Sequence, residues 1–156
     1  MTCNSKSKLA AAIASMSALL LVGCGGDSSL PQLSEATPSS FSGDCATLAA
    51  SITGLKGTVI TGSSTVAAGL LSNISTPEHC LVTGKMNERV SPVDGATYYI
   101  GFQVRLPKNW NGRFYYQANG GTDGAVSNAV GALGGGPVTS ALAKGFAVLS
   151  SDAGHQ

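Results

Sequence analysis

The chain has 156 residues, nine Lys or Arg against eight Asp or Glu, and a formal charge of +1. With no basic stripe and no interleaving of aromatic and basic residues, nucleic acid is excluded as a partner. Once a leader and a tether are set aside, roughly 110 residues remain, enough for a small domain, although the spacing of strands reads as one piece of a larger sheet.

Residues 1–8 are polar, with Lys6 and Lys8 and no acid, and residues 9–23 are apolar or small. A membrane span needs about 20 apolar residues, and this run is shorter. A charged start before a short apolar run is the form of a secretory signal peptide. The run ends in Leu21-Val22-Gly23-Cys24, a small residue directly before a cysteine, which resembles a bacterial lipobox. Residues 1–23 are therefore read as a lipoprotein signal peptide, with Cys24 the mature N-terminus, acylated on its sulfur and amine. Several acyl chains hold a protein to a membrane far better than one. Ordinary secretion, with Cys24 an incidental thiol, is the alternative. Gly25 and Gly26 follow in place of aspartate, so an outer-membrane lipoprotein is expected, otherwise a periplasmic or secreted protein.

Residues 24–43 are rich in Ser, Pro and Gly and read as a flexible tether, which cannot build a core. Without Lys6 and Lys8 the chain keeps seven basic and eight acidic side chains. Without Cys3 and Cys24 it keeps Cys45 and Cys80. An exported protein sits where disulfides persist, and an even pair favours a Cys45–Cys80 bridge; two buried free thiols are the other possibility. The loop so closed is poor in large apolar residues and gains from a staple.

Asp44 to Ile52 reads as a short helix, capped by Asp44 or Ser42, with Leu48 and Ile52 as an i,i+4 apolar pair. Thr58 to Thr61 is a short β-prone run. Pro77 to Cys80 is a turn in which His79 is expected at the surface. Leu81 to Met86 reads as a strand. After a turn over Ser91 to Gly95, residues 98–106 alternate, placing Ile100, Phe102, Val104 and Leu106 on one face. Pro107 ends that strand. Asn111-Gly112 is a hairpin-type turn signal leading into a strand over Arg113 to Gln117, with Trp110 packed over the turn.

Ala118 to Gly124 is a glycine-rich loop. It lacks the G-K-[ST] of a phosphate loop and the G-x-G-x-x-G of a dinucleotide site. A strand that ends on such a loop exposes backbone N–H groups unobstructed by side chains, which is how hydrolases hold a developing oxyanion. Residues 125–133 are dominated by small residues and suit a loop-rich crossover. Val138 to Lys144 reads as a short helix and Phe146 to Ser150 as a buried central strand. In open α/β sheets function collects at the carboxyl ends of strands, where the loops 118–124 and 151–155 both sit.

W-N-G-R-F before the glycine loop, G-G-G-P-x-x-S-A-L-A-x-G-F-A over 134–147 and S-D-A-G-H over 151–155 resemble the tannase and feruloyl esterase family. The resemblance runs from about Cys45 to Gln156. It implies an α/β fold: residues 44–156 as the N-terminal portion of an α/β-hydrolase catalytic domain whose lid domain lies downstream. It also implies a Ser-Asp-His triad beyond residue 156 and no catalytic residue within the chain as given. No cofactor is implied for catalysis and no metal within these residues, but a structural calcium in the lid. What carries over onto this sequence is the oxyanion loop, at Gly120 and Gly121, and the N-terminal bridge, Cys45 to Cys80. Ala118-Asn119 stand where many bacterial relatives have further glycines.

The implied activity of the complete protein is a serine carboxylesterase acting on esters of aromatic, phenolic acids, with the 156-residue chain inactive as a fragment. The alternative is a non-catalytic binding lipoprotein on the same scaffold. A Cys-Ser pair in a glycine-rich elbow after residue 156 would distinguish the two.

Overall fold

In chain order the elements of the computed structural model are β1 (Ser39–Ser40), α1 (Cys45–Ser51), β2 (Thr58–Val66), β3 (Gly69–Leu71), β4 (Ile74–Thr76), β5 (His79–Val90), β6 (Thr97–Pro107), β7 (Asn109–Trp110), β8 (Phe114–Gln117) and β9 (Ala147–Ser151), with a 3-10 turn at Leu142–Lys144 before β9. The structure describes residues 34–120, 124–132 and 139–155. The chain divides into two units, residues 1–34 and Glu35–Gln156, and all of these elements lie in the second. The expected signal peptide and Cys24 lie outside the described residues.

Five strands form a mixed sheet in the order β2-β5-β6-β9-β8. Neighbours are antiparallel from β2 through β9, and β8 runs parallel to β9. With α1 this makes an α/β core built on a central mixed sheet, consistent with the first strands of an α/β-hydrolase. The hairpin expected between the 98–106 and 113–117 strands does not form. β9 takes the place between them, pairing Val104 with Leu149 on one side and Tyr116 with Leu149 on the other. The Asn111-Gly112 signal is a real turn, with Gly112 at φ +82°, but it serves the pairing of β7 with β1. Trp110 closes it by donating Nε1–H to the Arg113 carbonyl at 2.7 Å.

The last residues of the expected 24–43 tether take part in the fold. Ser39 and Ser40 pair with Trp110 and Asn109, the Phe41 amide donates to the Lys108 carbonyl at 2.8 Å, and the Phe41 ring packs into the core. A Ser/Pro/Gly-rich composition hides this, because one aromatic ring and two backbone pairings suffice to hold the segment.

One face of the sheet is closed by α1. Asp44 Oδ1 accepts the Ala46 N–H at 2.9 Å and caps the helix, and Leu48 and Ile52 pack with Ile60, Val104 and Leu106 around buried Cys45, Cys80 and Val82. The Cys45–Cys80 disulfide is formed, joining Cα atoms 5.6 Å apart. It welds a helix of seven residues, too short to be stable alone, to the second strand of the sheet. The strand expected over 58–61 runs on to Val66, pairing as far as His79 with a register shift between Ile60 and Gly62.

The other face is covered by the crossover from β8 to β9. Ala129, Leu142 and Val148 form its buried centre, with Tyr115, Ala141 and Phe146 around them. Residues 124–132 are irregular, as their small side chains imply. Of the helix expected over 138–144 only the turn Leu142–Lys144 is helical among the described residues. Alternation along β6 suggests one apolar and one polar face, yet Gly101, Gln103 and Arg105 on the second face are buried as well.

Candidate active site

The carboxyl ends of β8 and β9 stand side by side because the two strands are parallel and adjacent, Gln117 opposite Ser150. From β8 the chain continues into Ala118, Asn119 and Gly120, and from β9 into Asp152, Ala153, Gly154 and His155. Between them lies a cleft of about 140 Å³, with Tyr116, Ala118 and Gly120 on one bank and Ala153 and His155 on the other. The structure thus brings together the two loops that the sequence singles out. Gly121 lies outside the described residues, so the position of its amide is not described.

The β9 side is fixed by Asp152, a buried residue. Both carboxylate oxygens accept the Gly101 N–H at 3.0 Å, and Oδ1 also accepts the Gly154 N–H at 2.8 Å. The Asp152 amide donates in turn to the Gly101 carbonyl at 3.1 Å. The turn that follows holds Ala153 at φ +55° and Gly154 at φ +81°. A left-handed alanine is uncommon, and here the Asp152 contacts on both sides hold it. The His155 amide closes the turn on the Asp152 carbonyl at 3.1 Å.

The β8 side is held by two carboxamides. Gln117 Oε1 accepts the Gly131 N–H at 2.8 Å and its Nε2 donates to the Asn128 carbonyl at 3.1 Å. Asn119 Nδ2 donates to the Ser151 carbonyl at 2.7 Å. Tyr116 Oη and Ser151 Oγ are 3.1 Å apart. Neither Gln117 nor Asn119 stands out in the sequence. The available signal was their i,i+2 spacing, which sets both amides on one side of a strand end just before the glycines.

His79 is not at the surface, as its neighbourhood in the sequence implies, but buried, as is Arg105 beside it. Its Nδ1 lies 2.7 Å from the Pro77 carbonyl, which can only accept, so Nδ1 carries the proton. Nε2 therefore accepts from Arg105 Nη1 at 2.8 Å. Burial pushes the imidazole below its ordinary value; the Pro77 carbonyl opposes this and the nearby Arg105 charge adds to it. Burial likewise lowers the Arg105 value. Arg105 Nη2 then reaches Asn128 Oδ1 at 3.2 Å, linking the start of β5 to the crossover. This is a structural histidine. Among the described residues no serine hydroxyl is hydrogen-bonded to an imidazole, and no three His, Cys, Asp or Glu side chains gather as metal ligands. The calcium implied by resemblance is expected in the lid domain, beyond these residues.

What this arrangement offers chemically is a glycine at the end of β8 beside a cleft, next to the side-chain amides of Gln117 and Asn119. The profile of the family described as tannase and feruloyl esterase matches residues 80–156. Over 89 residues the chain is 43% identical to a mono(2-hydroxyethyl) terephthalate hydrolase of Piscinibacter sakaiensis, a stretch that is 57% of this chain and 15% of that protein. Over 129 residues it is 31% identical to an uncharacterized esterase of Agrobacterium fabrum, covering 78% of this chain and 23% of that protein. The chain thus spans less than a quarter of the length of either curated relative. From the sheet order, the paired loops and these matches, the chain belongs to the tannase and feruloyl esterase family.

Proposed function

We propose that the protein to which these residues belong is a serine carboxylesterase acting on esters of aromatic acids, and that Gly120–Gly121 supplies backbone donors to the oxyanion. The observation that carries this is that Gly120 follows the carboxyl end of β8 and lines a cleft beside the end of β9, in a chain of this family. A serine activated by a histidine attacks the ester carbonyl, and the carbonyl oxygen gathers negative charge. The amide after the β8 turn and a second amide next to the serine accommodate that charge. The alcohol leaves, and water releases the aromatic acid. The serine, its histidine and acid, a lid domain and a structural calcium are assigned to the remainder of the protein. Similarity to a relative named for hydrolysing a terephthalate monoester supports an aromatic acyl group. Export and lipid attachment at Cys24 complete the reading.

The decisive experiment is Gly121→Val in the full-length protein, assayed on methyl gallate, methyl ferulate and simple acetate esters. Loss of one oxyanion donor lowers kcat by about 10²–10³-fold, with a smaller effect on binding of ground-state ester. Unchanged kcat in a folded variant on every hydrolysed ester removes the loop from the mechanism. Attachment is tested separately: a fatty-acid analogue labels the wild type in cells but not Cys24→Ser, and equal labelling of both rejects the anchor.

A further inference from the structure

The two faces of the sheet are not closed equally. On the first, α1 seals β5 around Cys80 and Val82. On the second, the crossover meets β6, where Gln103 Nε2 donates to the Ser127 carbonyl at 2.8 Å and Arg105 reaches Asn128. Leu81, Thr83 and Lys85 on β5 lie opposite Arg105, Gln103 and Gly101 and are only half-buried. Beyond them Thr61 on β2 is exposed. An open cleft of about 370 Å³ lies over this part of the face, bounded by the crossover at Val126 and Asn128.

Arg105 is buried at the edge of that cleft, and arginine keeps its charge in a protein. Its partners are neutral, the imidazole of His79 and the carboxamide of Asn128. Its Nε–H has no partner among the described residues. The ion pairs among these residues, Lys85 with Glu88 and Lys108 with Glu78, use other cations. Burial lowers the Arg105 pKa and no carboxylate opposes it. Two residues along the same face, Gln103 Oε1 is also buried without a donor. Buried charges are ordinarily paired and buried amide oxygens hydrogen-bonded, so this face calls for an anion at Arg105 and a donor at Gln103.

We propose that the open half of this face is the docking surface for a segment of the polypeptide outside these 156 residues, and that the segment carries an aspartate or glutamate which pairs with the Arg105 guanidinium. The chain spans less than a quarter of the length of its curated relatives, so there is further chain to cover the face. Charge complementarity selects an acid. Among the described residues the cations lining the cleft are Arg105 and Lys85, and no acidic side chain lines it. A guanidinium has five N–H donors. His79 and Asn128 take two, which leaves enough to hold a carboxylate by two bonds. A backbone N–H or hydroxyl of the same segment serves Gln103. Water alone does not suffice, because it brings no charge. The docking does not depend on which reaction the protein catalyses.

The test uses the full-length protein. Its crystal structure should show a carboxylate oxygen from a residue outside 1–156 at hydrogen-bond distance, about 3 Å, from the Arg105 guanidinium. Water, a free anion or apolar side chains in that place overturn the proposal. Arg105→Met reads the same pair in solution, in a His79→Gln background so that no imidazole titrates beside it. Loss of the cation strands a buried carboxylate, which is relieved when it takes up a proton. The melting temperature should therefore fall by several degrees at about pH 7.5 and by less than half as much at about pH 4.5. A deficit that stays level with pH, or a rise in melting temperature, overturns the proposal, because the other hydrogen bonds lost with Arg105 do not titrate. Arg105→Lys keeps the charge, so its deficit should stay level; one that shrinks equally assigns the titration elsewhere and also overturns the pairing. Added benzoate distinguishes a small-molecule occupant: stabilisation of the wild type but not of Arg105→Met puts a free anion in the cleft and rules out the segment. If Arg105→Met does not fold, the wild-type crystal structure decides alone.

Discussion

Gly101 lies in the middle of a strand, where glycine is ordinarily a weakness. An added Cβ there would lie 2.7 Å from Asp152 Oδ2 and 3.1 Å from Val126 Cγ2. The bare backbone is what lets the Asp152 carboxylate sit on the Gly101 amide. Gly101→Ala pushes the carboxylate away and leaves a buried amide poorly paired, which costs about 1–3 kcal/mol; urea denaturation reads this directly, and an unchanged midpoint refutes it. His79 gives a second prediction. Its folded value lies below the ordinary 6.5, so the unfolded chain binds the proton more readily. The stability tied to neutral His79 is fully present above pH 6.5 and is lost as pH falls from there through the lower folded value. His79→Gln should flatten stability against pH across that window, and an unaltered profile would exclude His79 as the cause. Neither residue was legible in advance. Alternation shows that Gln103 and Arg105 share the polar face of β6, but not that a crossover from residue 118 onward buries that face. A histidine in a Pro-Glu-His-Cys turn reads as exposed until Arg105 is known to lie against it.

At the scale of elements, local signals were read well. The Asp44 cap, the Leu48 and Ile52 contacts, the Ser91–Gly95 turn and the outline of β5, β6 and β8 follow from capping chemistry and period-two patterning, which depend on neighbours in sequence. The run over 146–150 marks β9 as a buried central strand, as found, but its partners did not follow, because it enters between β6 and β8 from some thirty residues away and no local pattern records which strands flank it. The disulfide could be expected from the cysteine count, and its role is now clearer. α1 meets the sheet through Leu48, Ile52 and the bridge. Replacing Cys45 and Cys80 by Ala should cost about 2–4 kcal/mol and expose α1 to proteolysis before the sheet. If the sheet and helix are cut together, or stability does not fall, α1 does not depend on the bridge. Of the candidate site, the glycine turn and the 151–155 loop were visible as motifs. Asn119 and Gln117 were not, since a carboxamide near a strand end carries no chemistry until its partners on β9 and in the crossover are in place.

For the whole molecule, β9 carries a consequence about time. Synthesis delivers residues in sequence order, so β5 and β6 can pair as soon as they emerge. The far edge of β6 must then wait for residues 147–151, whose pairing runs from Arg105 with Val148 to Phe102 with Ser151. At about 5–20 residues per second that edge stays open for a few seconds, and β8 has no place in the sheet until β9 arrives. Open strand edges template wrong pairings. Nascent chains arrested before Ala147 should therefore be cut by protease near β6 and held by chaperones, whereas chains arrested after β9 has emerged should not. Equal protection of both would show that the edge is guarded by something other than β9. The strand that brings the two loops of the cleft together is thus also a latch: the cleft cannot be assembled before the sheet is closed.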